Sequence, residues 1–121
     1  MKNYKTEFLR NVALVGHQGA GKTSLAEAML FATGAVNRMG KVEEGNTVAD
    51  FDDDEKNRNL SIYNALIPVE YKDHKINFID APGFVDFQGE AKNAILVSES
   101  ALVLVDAVAG PEVGTELAVN Y

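Results

Sequence analysis

The octapeptide Gly16-His17-Gln18-Gly19-Ala20-Gly21-Lys22-Thr23 fits the spacing G-x-x-x-x-G-K-[ST] and directly follows the apolar run Val12-Ala13-Leu14-Val15. Behind it comes a helical pattern, Leu25, Met29 and Ala32, so the glycine loop lies where a strand runs into a helix. Backbone N–H groups of such a loop converge on the α- and β-phosphates of a nucleotide. Lys22 can reach β- and γ-phosphate oxygens, and the Thr23 hydroxyl can ligate Mg²⁺. The loop is therefore expected to hold a nucleoside triphosphate. The plainer alternative is a glycine turn that joins strand to helix and binds nothing.

The elements that must position this loop can be read from periodicity. Phe8 to Val15 reads as a buried strand and Lys22 to about Thr33 as a helix, stopped at Gly34. Ala35 to about Asn59 is polar and acidic and has no sustained period, too long for an ordinary connector, which predicts a functional or disordered loop. Ser61 to Tyr71 and Lys75 to Asp80 read as a hairpin turning at Lys72-Asp73-His74, with Pro68 assigning the first strand to a sheet edge. Phe87 to Ser98 predicts a helix with Phe87, Ala91 and Ile95 on one face. Ala101 to Val105 predicts a parallel strand covered on both sides, and a last helix starts near Pro111 or Glu112. The order is that of an α/β domain, a mostly parallel sheet flanked by helices.

Asp80-Ala81-Pro82-Gly83 is a D-x-x-G pattern at the end of the second hairpin strand. In GTPases its carboxylate holds the Mg²⁺ shell through water and its glycine N–H senses the γ-phosphate. Alone the pattern is weak. Its place after a phosphate loop and a long intervening loop makes it strong.

With Arg58-Asn59-Leu60-Ser61-Ile62, Asp80-Ala81-Pro82-Gly83-Phe84-Val85-Asp86-Phe87 and Val105-Asp106-Ala107-Val108-Ala109-Gly110 in order behind the phosphate loop, the chain resembles the N-terminal part of the GTP-binding domain of elongation factor G and its paralogues. The resemblance covers nearly the whole chain. It implies a P-loop NTPase fold, with the phosphate loop at 16–23, switch I at about 35–61 and switch II at about 80–90. It also implies a GTP or GDP site made by Gly16, His17, Gln18, Gly19, Ala20, Gly21, Lys22, Thr23, Ser24, Asp80 and Gly83. Mg²⁺ would be held by Thr23, Ser61 and, through water, Asp80. The implied activity is GTP hydrolysis coupled to ribosome action in the cytoplasm.

Departures from the family pattern bear on catalysis. Ser61 stands where the family has a Mg²⁺-ligating threonine and keeps the hydroxyl. Asn59 replaces a glycine, which puts the backbone geometry there in question. Phe84 replaces the histidine that positions the attacking water, and it has no hydrogen-bonding group. Gln18 and Gly19 replace isoleucine and aspartate, a loop more like that of elongation factor G-like paralogues. Lys22 is therefore the catalytic residue retained, and Gln18 is the one polar newcomer that could orient a water. Alternatives of the same class are a ribosomal protection or release-factor-type GTPase, and a GTP-binding switch or docking module with little hydrolysis.

Several residues carry plainer readings. Asp86 can cap a helix, Phe87 can pack in the core and Asp106 can end a strand. His17 is expected to pack or bond to backbone, His74 belongs to the hairpin turn, and the acidic run Asp52 to Glu55 reads as solvated. The base-reading motif N-K-x-D is absent, so guanine specificity is implied by resemblance only. The chain reads as a partial GTP-binding domain, with the base motif beyond its C-terminus and with weak nucleotide affinity of its own.

Composition sets outer bounds. A chain of 121 residues holds one modest core. It has no cysteine, which excludes disulfides and cysteine-based zinc, and its net charge of −7 argues against a general or sequence-specific nucleic-acid surface. No apolar run is long enough to span a bilayer. A strand at 101–105 without a further neighbour would leave an open sheet edge through which copies could associate.

Overall fold

Strand β1 (Leu9–Gly16) runs through the interior of a four-stranded sheet in the computed structural model, which describes residues 2–121. The helix expected after the glycine loop is α1 (Lys22–Ala32), closed by Thr33 and by Gly34 at a φ of +76°. The hairpin is β2 (Ala65–Tyr71) and β3 (His74–Asp80), followed by α3 (Gln88–Leu96), β4 (Ser100–Leu104) and α4 (Val113–Asn120). A further short helix, α2 (Asp53–Arg58), lies in the segment expected to be a loop.

The strand order is β2-β3-β1-β4, with β1 parallel to both β3 and β4 and with β2 antiparallel to β3. Pro68 therefore sits on an edge strand, where its missing N–H costs least. The hairpin turn is tighter than expected. Lys72 and Asp73 alone make it, both in the left-handed region, and His74 already pairs with Tyr71.

Alternation along β1 builds a core on each face of the sheet. Leu14 packs with Ala26 and Leu30 of α1 and with Ile67, Val69 and Phe78. Ala13 and Val15 face the other way, against Ala91 and Ala94 of α3 and Ala118 of α4. The parallel pairing of β1 with β3 and β4 brings the C-terminal ends of all three to one rim. There the loops after β1 and β3 meet, as at the ligand-binding end of open α/β sheets.

The expectation of a doubly covered last strand fails. Residues Ser100 to Leu102 of β4 are exposed, Leu102 to 43%, because among the described residues only α4 packs firmly on this strand and nothing pairs with its outer edge. Nor does Asp86 cap α3. It lies exposed in a 3₁₀ turn, Val85–Phe87, and the residue preceding α3 is Phe87, which makes no side-chain cap bond.

Neighbouring residues of β2 test this layering. Ile67 is fully buried and Leu66 is 63% exposed, so Ile67→Ala should cost about 2–5 kcal/mol in urea unfolding while Leu66→Ala stays within about 0.5 kcal/mol. The reverse pattern, a large loss at Leu66 and a small one at Ile67, would show that the strand is misassigned by one residue.

Candidate functional site

Lys22 opens α1 with its ammonium folded over the loop, donating to the carbonyls of Gly16 at 3.2 Å and His17 at 2.9 Å. Burial pulls the Lys22 pKa down, and the nearby Asp80 carboxylate opposes that shift. Gly83 closes over the same spot. A Cβ there would stand 2.5 Å from Lys22 Nζ and 2.6 Å from the Gln18 nitrogen, so only glycine fits between β3 and the phosphate loop.

A chain of four oxygen-bearing side chains crosses the rim. The Thr23 hydroxyl donates to Asp80 Oδ2 at 2.7 Å and lies 3.2 Å from Ser61 Oγ, which donates to Asp50 Oδ1 at 2.6 Å. Asp80 and Asp50 are both buried. Desolvation pushes the Asp80 pKa up to about 6, against the pull of the Thr23 hydrogen bond and Lys22, while Asp50 and Glu55 push the same way as burial. The second oxygen, Asp80 Oδ1, is buried with no hydrogen-bond partner.

These groups fit Mg²⁺. Among the described residues no cluster of three or more His, Cys, Asp and Glu is arranged to hold a metal. Mg²⁺ at a nucleotide needs no such cage, because one or two protein oxygens, water and phosphate complete its octahedron. Two adjacent hydroxyls and a buried carboxylate with a spare oxygen supply that kind of set.

The segment from Ala35 to Asn59 is folded around carboxylates that the sequence reading passed over. Glu27 of α1, 1% exposed, accepts the Gly40 N–H at 3.0 Å and the Val48 N–H at 2.5 Å. Glu55, fully buried, accepts from Ile62 at 2.9 Å and Asp52 at 3.2 Å. The acidic run is thus not uniformly solvated: Asp52 caps α2 through the Asp54 N–H, and Glu55 completes a capping box. The spacing D-x-x-E signalled that box. Glu27 lies off the face of Leu25, Met29 and Ala32 that the sequence pattern marks, so the period does not single it out. Asp50, which bonds Ser61, had no distinguishing neighbour.

Asn59 resolves the question raised by its replacing a glycine. It takes a φ of +52° as the residue that ends α2, in the left-handed region that asparagine tolerates better than other side-chain-bearing residues. Ser61 is thereby brought back to Thr23.

The cleft at this rim encloses about 430 Å³ and is lined by Gln18, Gly19, Gly21, Lys22, Thr23, Ser24, Asp50, Arg58, Asn59, Ser61, Gly83 and Phe84, among others. Gln18 is exposed on its wall. Phe84 is half-buried and meets Phe87 edge to face at 6.4 Å. Gly16, His17 and Ala20 belong to the loop but do not line the cleft. His17 faces away, its Nδ1 accepting from the Gly114 N–H at 3.1 Å. That leaves the proton on Nε2, 3.1 Å from Glu112. His74 is remote, at the hairpin, bonded to the Lys72 carbonyl and stacked edge-on with Phe8. Asp106 does not end a strand, because β4 stops at Leu104; it lies in a turn bridged to Gly110 and accepts from Ala109 and Val108, which lowers its pKa. No helix among the described residues is long and apolar enough to cross a membrane.

Residues 7–121 match the family model described as elongation factor Tu GTP binding domain. The chain is 42% identical over 112 residues to elongation factor G 2 of Hahella chejuensis, covering 93% of this chain and 16% of that protein. It is 39% identical over 116 residues to the mitochondrial ribosome-releasing factor 2 of Candida dubliniensis, covering 96% of this chain and 14% of that one. A crystal structure of a Thermus thermophilus protein superposes with a TM-score of 0.91 at 44% identity, covering 93% of this chain and 17% of its counterpart. A bacterial selenocysteine-specific elongation factor shares the fold at 22% identity, with a TM-score of 0.70 over 91% of this chain and 17% of that one. The chain thus spans about one sixth of the length of these relatives.

Asp80 tests whether the rim is built for a ligand rather than for stability. Removing a desolvated carboxylate with a spare oxygen, by Asp80→Asn, should raise the stability of the ligand-free chain by on the order of 1–3 kcal/mol at pH 7 in urea unfolding. A loss of stability would mean that the Thr23 bond outweighs the burial of the charge.

Proposed function

We propose that this chain, which belongs to the elongation factor Tu GTP-binding domain family, carries the phosphate-gripping site of a translational GTPase resembling elongation factor G. The observation that carries the reading is the oxygen chain Asp80–Thr23–Ser61–Asp50 at the mouth of the phosphate loop, with Asp80 Oδ1 left unpartnered. Guanine nucleotide is the ligand of the family. The amides of the loop residues that line the cleft, Gln18, Gly19 and Gly21 to Ser24, face the α- and β-phosphates, and the Lys22 ammonium grips β- and γ-oxygens in exchange for the loop carbonyls it now holds. A partly desolvated ammonium gains more from a phosphate than a hydrated one.

Thr23 and Ser61 are the residues that would hold Mg²⁺ directly, with Asp80 holding it through water and Asp50 fixing the Ser61 hydroxyl. Mg²⁺, when bound, neutralises charge on the β- and γ-phosphate oxygens. The Gly83 N–H senses the γ-phosphate, and the fit of Gly83 against the loop places its backbone beside Lys22.

Hydrolysis is slow in this reading. Phe84 lines the cleft where the family's histidine would stand, and its ring offers a nucleophilic water no hydrogen bond. The same observation favours a second reading, a switch that binds GTP and docks with little turnover. The partner is the ribosome, supported by relatives named as elongation factor G and ribosome-releasing factor, and the compartment, read from the resemblance to elongation factor G alone, is the cytoplasm.

Two measurements test these assignments. Lys22→Ala should weaken GTP binding about 100-fold in calorimetry with Mg²⁺, and retained affinity would refute the grip. Single-turnover hydrolysis by the complete protein, with and without ribosomes, separates enzyme from switch. Phe84→His should raise the stimulated rate at least about 10-fold, whereas Gln18→Ala stays within about twofold. The reverse pattern would make Gln18 the working residue.

A further inference from the structure

The segment that carries Ser61 leaves the site through Ile62, Tyr63 and Asn64 before β2 begins at Ala65. At Asn64 it is fastened to the helix that follows Gly83 and Phe84. The Asn64 backbone N–H donates to Glu90 Oε2 at 2.8 Å, and the Asn64 side-chain Nδ2 donates to the Glu90 carbonyl at 2.7 Å. Glu90 lies in the first turn of α3, the helix entered from Gly83 and Phe84, where the helix dipole favours a carboxylate.

This clasp has features that ordinary packing does not require. Among the described residues the ion pair is Lys41 with Glu44, so the Glu90 carboxylate is committed to a backbone N–H rather than to a cation. Asn64 Oδ1 is buried without a partner, so the side chain is held for its donor at the expense of its acceptor. Both bonds join the segment that carries Ser61 to the helix entered from Gly83, just beyond the last β2–β3 rung of Ala65 with Asp80, with Ser61 three residues before the clasp and Gly83 seven residues before Glu90.

We propose that Asn64 and Glu90 are positioning residues that make the two nucleotide-facing segments, 50–64 and 83–90, close as one unit. The proposal rests on the reading of the cleft as a guanine nucleotide site. A γ-phosphate engages both segments, Ser61 through its hydroxyl and Gly83 through its N–H, whereas a diphosphate engages neither firmly. With the clasp intact, ordering one segment contributes the ordering of the other. Discrimination between tri- and diphosphate then depends on a pair of residues that touch neither.

Calorimetry with a non-hydrolysable GTP analogue and, separately, with GDP tests this in the complete protein with Mg²⁺. Glu90→Ala should lower analogue affinity about 10-fold and change GDP affinity less than about twofold, the share expected of one charge-assisted hydrogen bond. Glu90→Gln keeps an acceptor for the Asn64 N–H and should recover most of the loss. Asn64→Ala leaves α3 untouched and removes only the bond to the Glu90 carbonyl, so a selective loss of about threefold is expected even if Glu90→Ala does not fold. Equal losses for both nucleotides, or none for either, overturn the coupling and leave the clasp a structural contact. Failure of the unaltered protein to bind either guanine nucleotide overturns the reading of the cleft, and the coupling falls with it.

Discussion

Four carboxylates, those of Glu27, Asp50, Glu55 and Asp80, are buried at 3% exposure or less, and among the described residues none is in an ion pair. A buried charge without compensation costs several kcal/mol. Here the compensation comes from backbone N–H groups and hydroxyls. Glu27 collects donors from Gly40 and Val48, Glu55 from Asp52 and Ile62, Asp50 from Ser61, and Asp80 from Thr23. The path of the chain from Gly40 to Tyr63 is therefore set by carboxylates that need donors, more than by apolar area, of which this segment buries little beyond Ala49.

That constraint explains which parts were legible in the sequence. Strands and helices announce themselves through the period of their apolar residues, and β1, α1 and β3 lie close to where that period put them, whereas β2 begins at Ala65, four residues later than the Ser61 start expected of it. Motifs with fixed spacing placed Lys22, Thr23 and Asp80 together correctly, because spacing along a strand–loop–helix unit is nearly a coordinate. Glu55 was hidden in a run of Asp and Glu whose composition reads as solvated. Nothing in composition separates it from exposed Asp53 and Asp54 except the capping spacing to Asp52. The exposure of β4 was hidden for a different reason. An apolar run reports what a strand can bury, and whether a neighbour covers it is decided elsewhere.

The phosphate loop is held from behind as well as from within. His17 accepts the N–H of Gly114 and meets Glu112, so the start of α4 is bonded to the loop's second residue. A Cβ at Gly114 would lie 2.8 Å from His17 Cα, so the helix comes this near only because a glycine stands there. The loop is thereby fixed between β1, α1 and α4. A rigid frame of this kind lets backbone amides point at a phosphate without first paying an ordering cost.

Lys22 and Asp80 complete the argument because burial opposes the charge of each. Desolvation lowers the pKa of the lysine and raises that of the aspartate, and each charge only partly relieves the other. A pair kept for stability would be joined directly. Instead Lys22 spends its donors on the carbonyls of Gly16 and His17, and Asp80 spends one oxygen on Thr23 and leaves the other without a partner. An under-satisfied cation and an under-satisfied anion on one rim match a ligand that presents anionic oxygens to the first and a hydrated cation to the second. A nucleoside phosphate with its metal would be such a ligand, and in the proposed reading its binding would relieve the mismatch.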